Sequence, residues 1–310
     1  MRVSICIPTY NGARYIAEAI RSALAQSSAD AELLISDSGS TDGSLEIVRR
    51  ETAGTSIPVR ILDTPTPGMV QNWNALILAA RGDFIKFLFQ DDLLHPGCVQ
   101  KMLALADTDP RIGLVFCRRE LLVEPSAKSS PVAQYLLKHK DLHLGLGPLR
   151  PVQPGARLLA SRLLLEEPVN KIGEPSAVLF RRDLAISAGL FNEKMHQEVD
   201  WEFWLRLISN SRVGFVDETL TTFRVHDDQM SVENSRKPQD FTEGHHLLQT
   251  LAKPAVFDHL HRVARLEIYR RSTEWNAPIG VTPNSVERAH VAVREVYHGA
   301  RKALRRTPAA

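Results

Sequence analysis

Short apolar runs alternate with helix-periodic stretches through the first 120 residues, and that alternation restricts the chain to βαβ units and a largely parallel sheet. Arg2 to Pro8 reads as a buried strand closed by proline. Asn11-Gly12 turns the chain, and Ile16, Ile20, Ala23 and Leu24 then recur at helical spacing. The pattern repeats. Further strands are expected at Glu32–Ser36, Pro58–Leu62, Phe84–Leu88 and Ile112–Cys117, with helices through Leu45 and Val48, from Met69 to Ala80 and from Val99 to Ala106. Residues 124 to 157, rich in Pro, Ser, Gly and Lys, read as a long excursion from the sheet. Order returns at Ala177–Phe180 and Trp201–Ile208, after which a helical chain is expected to the end.

Composition narrows the class. The 310 residues carry 38 Lys and Arg against 36 Asp and Glu, with 44% hydrophobic residues, which is globular and excludes disorder, collagen and coiled coil. The near-neutral total hides an asymmetry: residues 241 to 310 carry 11 basic and 6 acidic groups, so the C-terminal quarter is the basic part. No basic and aromatic face accompanies it, and nucleic acid is not an expected partner. Three cysteines without CxxC spacing speak against a disulfide framework or zinc knuckle and for a reducing cytosol. The N-terminus lacks a signal-peptide core and no apolar run reaches spanning length, so a soluble or at most peripheral protein is expected.

Ligands of open parallel sheets gather at the carboxyl ends of the strands. Three groups fall there by spacing: Thr9 after the first strand, Asp37 after the second, and Asp91-Asp92 after the fourth. Carboxylates at strand ends suit ribose hydroxyls, base N–H groups or a hard cation. Neither GxxxxGK[ST] nor GxGxxG follows the first strand, which argues against a P-loop and a standard dinucleotide fold.

Five blocks in order resemble family 2 glycosyltransferases of the GT-A fold: Ile7-Pro-Thr-Tyr-Asn11, Asp37-Ser-Gly-Ser-Thr-Asp42, Ala80-Arg-Gly-Asp-Phe-Ile85, Phe87-Leu-Phe-Gln-Asp-Asp92 and Val199-Asp-Trp-Glu-Phe-Trp204. The resemblance spans roughly residues 3 to 230. It implies an α/β fold, Rossmann-like, with a mostly parallel central sheet and flanking helices, followed by a C-terminal helical extension. The implied division is a catalytic domain over 1–235, its nucleotide-sugar half at 1–120 and its acceptor half at 121–235, then a basic extension over 236–310.

By the same resemblance, Pro8, Thr9, Tyr10, Asn11, Asp37, Asn74, Gln90 and Asp91 line the nucleotide-sugar. Asp91, Asp92 and His226 of Arg224-Val-His226 approach a divalent cation, Mg²⁺ or Mn²⁺. Asp200 acts as the base of an inverting transfer, with Glu198 as the alternative. Glu174, Ser176 and Trp201 lie on the acceptor side, although Gly173–Ser176 also reads as a turn into the next strand. Three departures stand out. The first acidic position of the family's DXD element is Phe89, or Gln90 in a compact alignment; Ser38 replaces a second Asp; and Trp73-Asn74 stands where Arg-Asn is common. Trp73 reads more readily as core than as a sugar platform.

The expected activity is transfer of a sugar from a UDP- or dTDP-sugar to a hydroxyl of a glycan or lipid-linked saccharide. A sugar nucleotidyltransferase is one rival, but Pro8–Gly12 offers no Gly-rich, Arg- or Lys-bearing loop. A non-catalytic nucleotide- or glycan-binding module is the other, prompted by the thinned DXD element. In the last helix Val293, Val296, Tyr297, Ala300 and Leu304 form a stripe among arginines. That stripe fits docking on the catalytic domain, or peripheral contact with anionic lipid at the inner face of the membrane.

Overall fold

The computed structural model describes residues 1–26, 30–63, 68–230, 232, 241–274 and 279. The expected C-terminal lipid-facing helix lies outside the described residues.

Four strands, β1 (Val3–Thr9), β2 (Ala31–Asp37), β3 (Val59–Asp63) and β4 (Phe84–Phe87), pair in parallel in the order β3-β2-β1-β4. Between them run α1 (Ile16–Leu24), α2 (Ser44–Thr52) and α3 (Met69–Ala79). The first two strands are buried on both sides, which is why they read as unbroken apolar runs. Alternation still sorts their side chains. Val3, Ile5, Ile7, Leu33 and Ile35 enter the core under α1, whereas Cys6 and Leu34 enter the one under α3.

The sheet then leaves the parallel pattern. After the two-residue β5 (Leu93–Leu94) and α4 (Cys98–Ala106) come β6 (Ile112–Val123), α5 (Pro131–Lys138), β7 (Val152–Pro154) and α6 (Gly155–Leu159). Next are β8 (Val178–Arg181), α7 (Arg182–Ala188), α8 (Val199–Ser209) and β9 (Arg212–Val225). Strand β8 pairs antiparallel with both β4 and β6, and the order continues β8-β6-β9-β5, with β7 on β9. Helices α9 (Phe241–Leu251), α10 (Pro254–Phe257) and α11 (Arg262–Glu274) follow.

Two expectations are corrected here. The chain does not turn helical to the end after Ile208, because β9 follows; its Val, Phe and Thr content favours a strand, and β6 supplies a parallel partner along its length. Strand β6 runs past Cys117 to Val123, with register shifts around Arg118 that let it bend with β9. Helix α8 is buried almost all round. Trp201, Phe203, Trp204, Leu205, Leu207 and Ile208 are 0% exposed, and its one buried ion pair, Glu202–Arg206, is closed within the helix at 2.8 Å.

Candidate active site

The ends of β1 and β2 are zipped together before any ligand is considered. Thr9 and Asp37 are register partners, and Ser38 N donates to Thr9 O at 3.0 Å. Asp37 accepts from Gly39 N at 3.1 Å, Ser40 N at 2.9 Å and Ser40 Oγ at 2.5 Å, closing an Asx-type turn. Asn11, at φ 47°, accepts from Thr41 N and binds Ser40 Oγ through its own N–H. Asp42, which sequence reading gave no role, takes Ala13 N and the Ser44 N–H and hydroxyl. Burial opposes its charge, yet these donors hold its carboxyl below the usual range.

Gln90 fastens β4 to this edge. Its Oε1 accepts from Thr9 Oγ1 at 2.7 Å and Tyr10 N at 3.0 Å, and its Nε2 donates to Tyr10 O. A Cβ on Gly12 would stand 2.2 Å from that Oε1, so glycine is required if the clasp is to stay in place. Pro8 is buried at the end of β1, and Tyr10 is exposed beside it.

Of the paired aspartates, Asp91 faces the open edge and Asp92 faces inward. Asp91 Oδ2 lies 3.0 Å from His226 Nε2, while the His226 ring packs tilted against Tyr15 at 4.6 Å between centroids. Asp92 is 0% exposed, and its oxygens accept from Ser176 Oγ at 2.6 Å and Arg224 N at 3.1 Å. Desolvation and the adjacent Asp91 charge raise its carboxyl well above the usual range. Asp92, expected as a cation ligand, stands as an internal brace, and Ser176, expected on the acceptor side, is the partner of that brace and of Phe89 N.

Arg224 reinforces the same corner: its Nε donates to Asp91 O at 2.9 Å and one amino group reaches Glu18 at 2.7 Å. Both Arg224 and His226 come from the end of β9. No complete cage of three Asp, Glu, His or Cys side chains exists among the described residues. One carboxylate and one imidazole do suit a hard cation that arrives with phosphate oxygens, since such ions take few protein ligands and keep substrate and water oxygens.

The departures from the family pattern explain one another. Phe89, at the first acidic position, stacks on Trp73 at 4.9 Å, and Trp73 meets Phe191 edge-on at 5.2 Å. An aspartate there would be set against an aromatic cluster. Trp73 is 7% exposed, in keeping with the core reading. Ser38 is held by Asn72 Nδ2 at 2.7 Å. Asn74, expected to line the nucleotide-sugar, is buried, and its amide exchanges two 3.0 Å hydrogen bonds with the Phe191 main chain.

Asp200 stands in the first turn of α8. Its oxygens accept from Asn170 Nδ2 at 3.0 Å and Trp201 N at 2.7 Å. Asn170 also donates to Gly173 O, which links the aspartate to Glu174 and so to Arg119, whose Nε binds both Glu174 oxygens at 2.9–3.0 Å. Desolvation, reinforced by Glu198 and Glu174, pushes the Asp200 carboxyl well above the carboxylate range. Glu198 is itself pushed up to about 7, by burial first and then by Glu167 and Glu243. Trp201, expected on the acceptor side, is 0% exposed and packs in the core. A cleft of about 320 Å³ lies along β6 here, with Arg118, Lys140, Asp141 and His143 in its walls.

Sequence reading passed over Asn170, Arg119 and Glu243. The first two sit in stretches without periodicity, and the third lies far along the chain.

Comparison with known proteins bears on this geometry. The sequence profile described as glycosyl transferase family 2 matches residues 4–167. An uncharacterized protein of Mycobacterium tuberculosis is 33% identical over 222 residues, covering 72% of this chain and 66% of its own. The chondroitin synthase of Pasteurella multocida is 28% identical over 238 residues, 75% of this chain but 21% of that protein. This chain thus spans just under two thirds of the first relative and about a fifth of the second. Among solved structures, S. aureus TarS 1-349 in complex with UDP-GlcNAc has a TM-score of 0.62 at 19% identity, over 88% of this chain and 73% of that one. A mannosyltransferase from Pyrobaculum calidifontis, in complex with GDP-Man and Mn²⁺, has a TM-score of 0.57 at 19% identity, over 98% and 80%. Those likenesses show the GT-A fold.

Proposed function

The chain belongs to glycosyl transferase family 2, and from that premise we propose that it moves a sugar from a UDP- or dTDP-sugar to a hydroxyl of a glycan or lipid-linked saccharide, inverting the anomeric centre with the help of a divalent cation. The observation that carries this reading is the part-buried Asp91–His226 couple beyond the end of β4, together with a desolvated Asp200 held by Asn170 at the start of α8. Solved relatives of the fold are described with UDP-GlcNAc or with GDP-Man and Mn²⁺, which supports a nucleotide-sugar donor.

Asp91 and His226 are the residues that would hold the cation on the diphosphate. Such a cation, when bound, supplies Lewis-acid stabilisation of the charge that the leaving nucleotide gathers. The chain's own chemistry lies on the attacking side. Asp200 removes the proton from the acceptor hydroxyl as its oxygen bonds to the anomeric carbon and the bond to the diphosphate oxygen breaks. A desolvated carboxylate is a stronger base than one in water, so its raised proton affinity suits this step. A single displacement inverts the centre, unlike the two-carboxylate hydrolysis of glycosidases, which needs no activated donor.

Three buried free cysteines, Cys6, Cys98 and Cys117, fit a reducing cytosolic setting for the reaction. Among the described residues no helix is long and apolar enough to cross a membrane. Peripheral contact through the basic C-terminal residues remains part of the proposal, tested by liposome co-sedimentation with and without residues 290–310; equal partitioning rejects it. The donor is tested by thermal shift against UDP-, dTDP- and GDP-sugars with and without Mn²⁺. A specific donor raises the melting temperature through linkage, whereas a flat panel counts against the reading.

A further inference from the structure

We propose that Glu243, on α9, is a positioning residue for Asp200: it closes a nest of main-chain amides leading into α8 and thereby fixes the direction from which the catalytic carboxylate projects. Three successive N–H groups converge on its carboxylate. His196 N donates to Oε1 at 2.9 Å, and Gln197 N and Glu198 N donate to Oε2 at 3.0 and 3.3 Å. Successive amides aimed at one point make an anion-binding concavity, and here the anion belongs to the chain itself.

Helix α8 has need of it. Glu198, the residue before the first turn, makes no side-chain capping bond, so nothing local fixes the lead-in. Asp200 is the second residue of the helix, and small rotations of the first turn move its carboxylate directly. Asn170 and Trp201 N determine which way the oxygens face once the turn is in place. Glu243 determines where the turn begins.

The carboxylate is delivered by a rigid element. Leu247, Leu248 and Leu251 of α9 lie in the same core as Val199 and Phe203 of α8, and Thr250 Oγ1 donates to Glu202 Oε1 at 2.5 Å. Positions 243, 247, 250 and 251 share one helical face. One face of α9 thus grips α8 at its start through Glu243 and a turn further on through Thr250. The charges facing Glu198 in this corner are Glu167, Glu243 and Arg271, so removing the Glu243 charge also changes the field beside Asp200.

This inference rests on the reading of Asp200 as base, and its test has one arm that does not. Hydrogen–deuterium exchange on the full chain, without substrate, should show amides 196–202 exchanging at least tenfold faster in Glu243→Ala, with β1 and β4 unchanged. In the second arm, donor turnover is followed as UDP release from the sugar chosen by the thermal-shift panel. Glu243→Ala should lower kcat about 10–100-fold while donor KM and UDP–Mn²⁺ binding stay within twofold, since a displacement near 1 Å at a reacting group carries a penalty of that size. Glu243→Gln, whose amide oxygen still accepts N–H bonds, should recover most of the loss. Unchanged exchange at 196–202, or a Glu243→Ala kcat equal to wild type, overturns the proposal. Equal losses in kcat and UDP binding with exchange rising throughout also overturn it, because they mark a purely structural role. If Asp200→Asn turns over like wild type, the reading of the base fails, and the exchange arm still decides whether Glu243 holds the helix.

Discussion

The edge at the ends of β1 and β2 and the corner at the start of α8 use the same residue type in opposite ways. At the ends of β1 and β2, Asp37 and Asp42 are surrounded by N–H and O–H donors that stabilise the anion. Around α8, Asp200 and Glu198 are desolvated and face other acids, which destabilises it. The first arrangement builds a loop fixed by its own hydrogen bonds. The second keeps a carboxylate that gains by accepting a proton, and the difference lies in hydrogen-bond supply and burial, not in amino-acid type.

Exchanging the acids sharpens this contrast most. Asp200→Asn is expected to lower turnover by 10²–10⁴, the usual contribution of general base catalysis, while UDP with Mn²⁺ still binds. Asp91→Asn is expected to lose both turnover and the Mn²⁺ dependence of UDP binding. Its neighbour is the control. Asp92→Asn keeps the size of the brace and an oxygen to accept from Arg224 N, so activity within about tenfold of wild type is expected; a loss equal to that of Asp91→Asn would support Asp92 as a cation ligand.

The Arg119–Glu174 pair joins the two regions, with side chains 3% and 17% exposed. Arg119→Met leaves a part-buried carboxylate without its partner and should destabilise the fold by roughly 1–3 kcal/mol in urea unfolding. A loss below about 1 kcal/mol would show that Glu174 finds another partner.

Stability against pH separates the regions by sign. Because the folded Asp200 holds its proton more tightly than the unfolded one, its favourable contribution is complete below the ordinary carboxylate range and is lost as pH rises through the raised value. Asp200→Asn should therefore melt higher than wild type at pH 8, by about 2–4 °C, with the gap closing towards pH 4. For Asp42, lowered in the folded state, the sign reverses: Asp42→Asn should melt lower than wild type at pH 8, and the difference should shrink as pH falls through the carboxylate range. The smallest effect belongs to the surface. Arg14, 58% exposed in its ion pair with Glu124, should contribute less than about 1 kcal/mol on replacement by Ala.

Strands β1, β2 and β4 were legible because each is buried on both sides and bounded by turn residues, and β3, at the sheet edge with Ile61 exposed, because its short apolar run follows Pro58. Strand β9 was not. Its residues 217–219 are polar and exposed, which breaks the apolar run, and pairing with β5, β6 and β7 makes one strand of Arg212–Val225. The site divides along the same line. Thr9, Asp37, Gln90 and Asp91 follow strands, so spacing alone placed them at one edge. Asn74, Ser176, Asp92 and Trp201 were singled out by family context, but their burial was not legible there, because burial is a property of what packs opposite.

By itself the sequence determined the parallel half of the sheet, the carboxylates at its edge and the family to which they belong, because these depend on periodicity and short-range spacing. Tertiary structure decided which aspartate of the 91–92 pair faces outward, that Phe89 and Trp73 replace charge by stacking, and that Asp200 is held through Asn170 and a helix lead-in closed by Glu243. The physical reason is that proton affinity and ligand access are set by desolvation and by neighbours distant in the chain, which only the folded arrangement brings within hydrogen-bonding range.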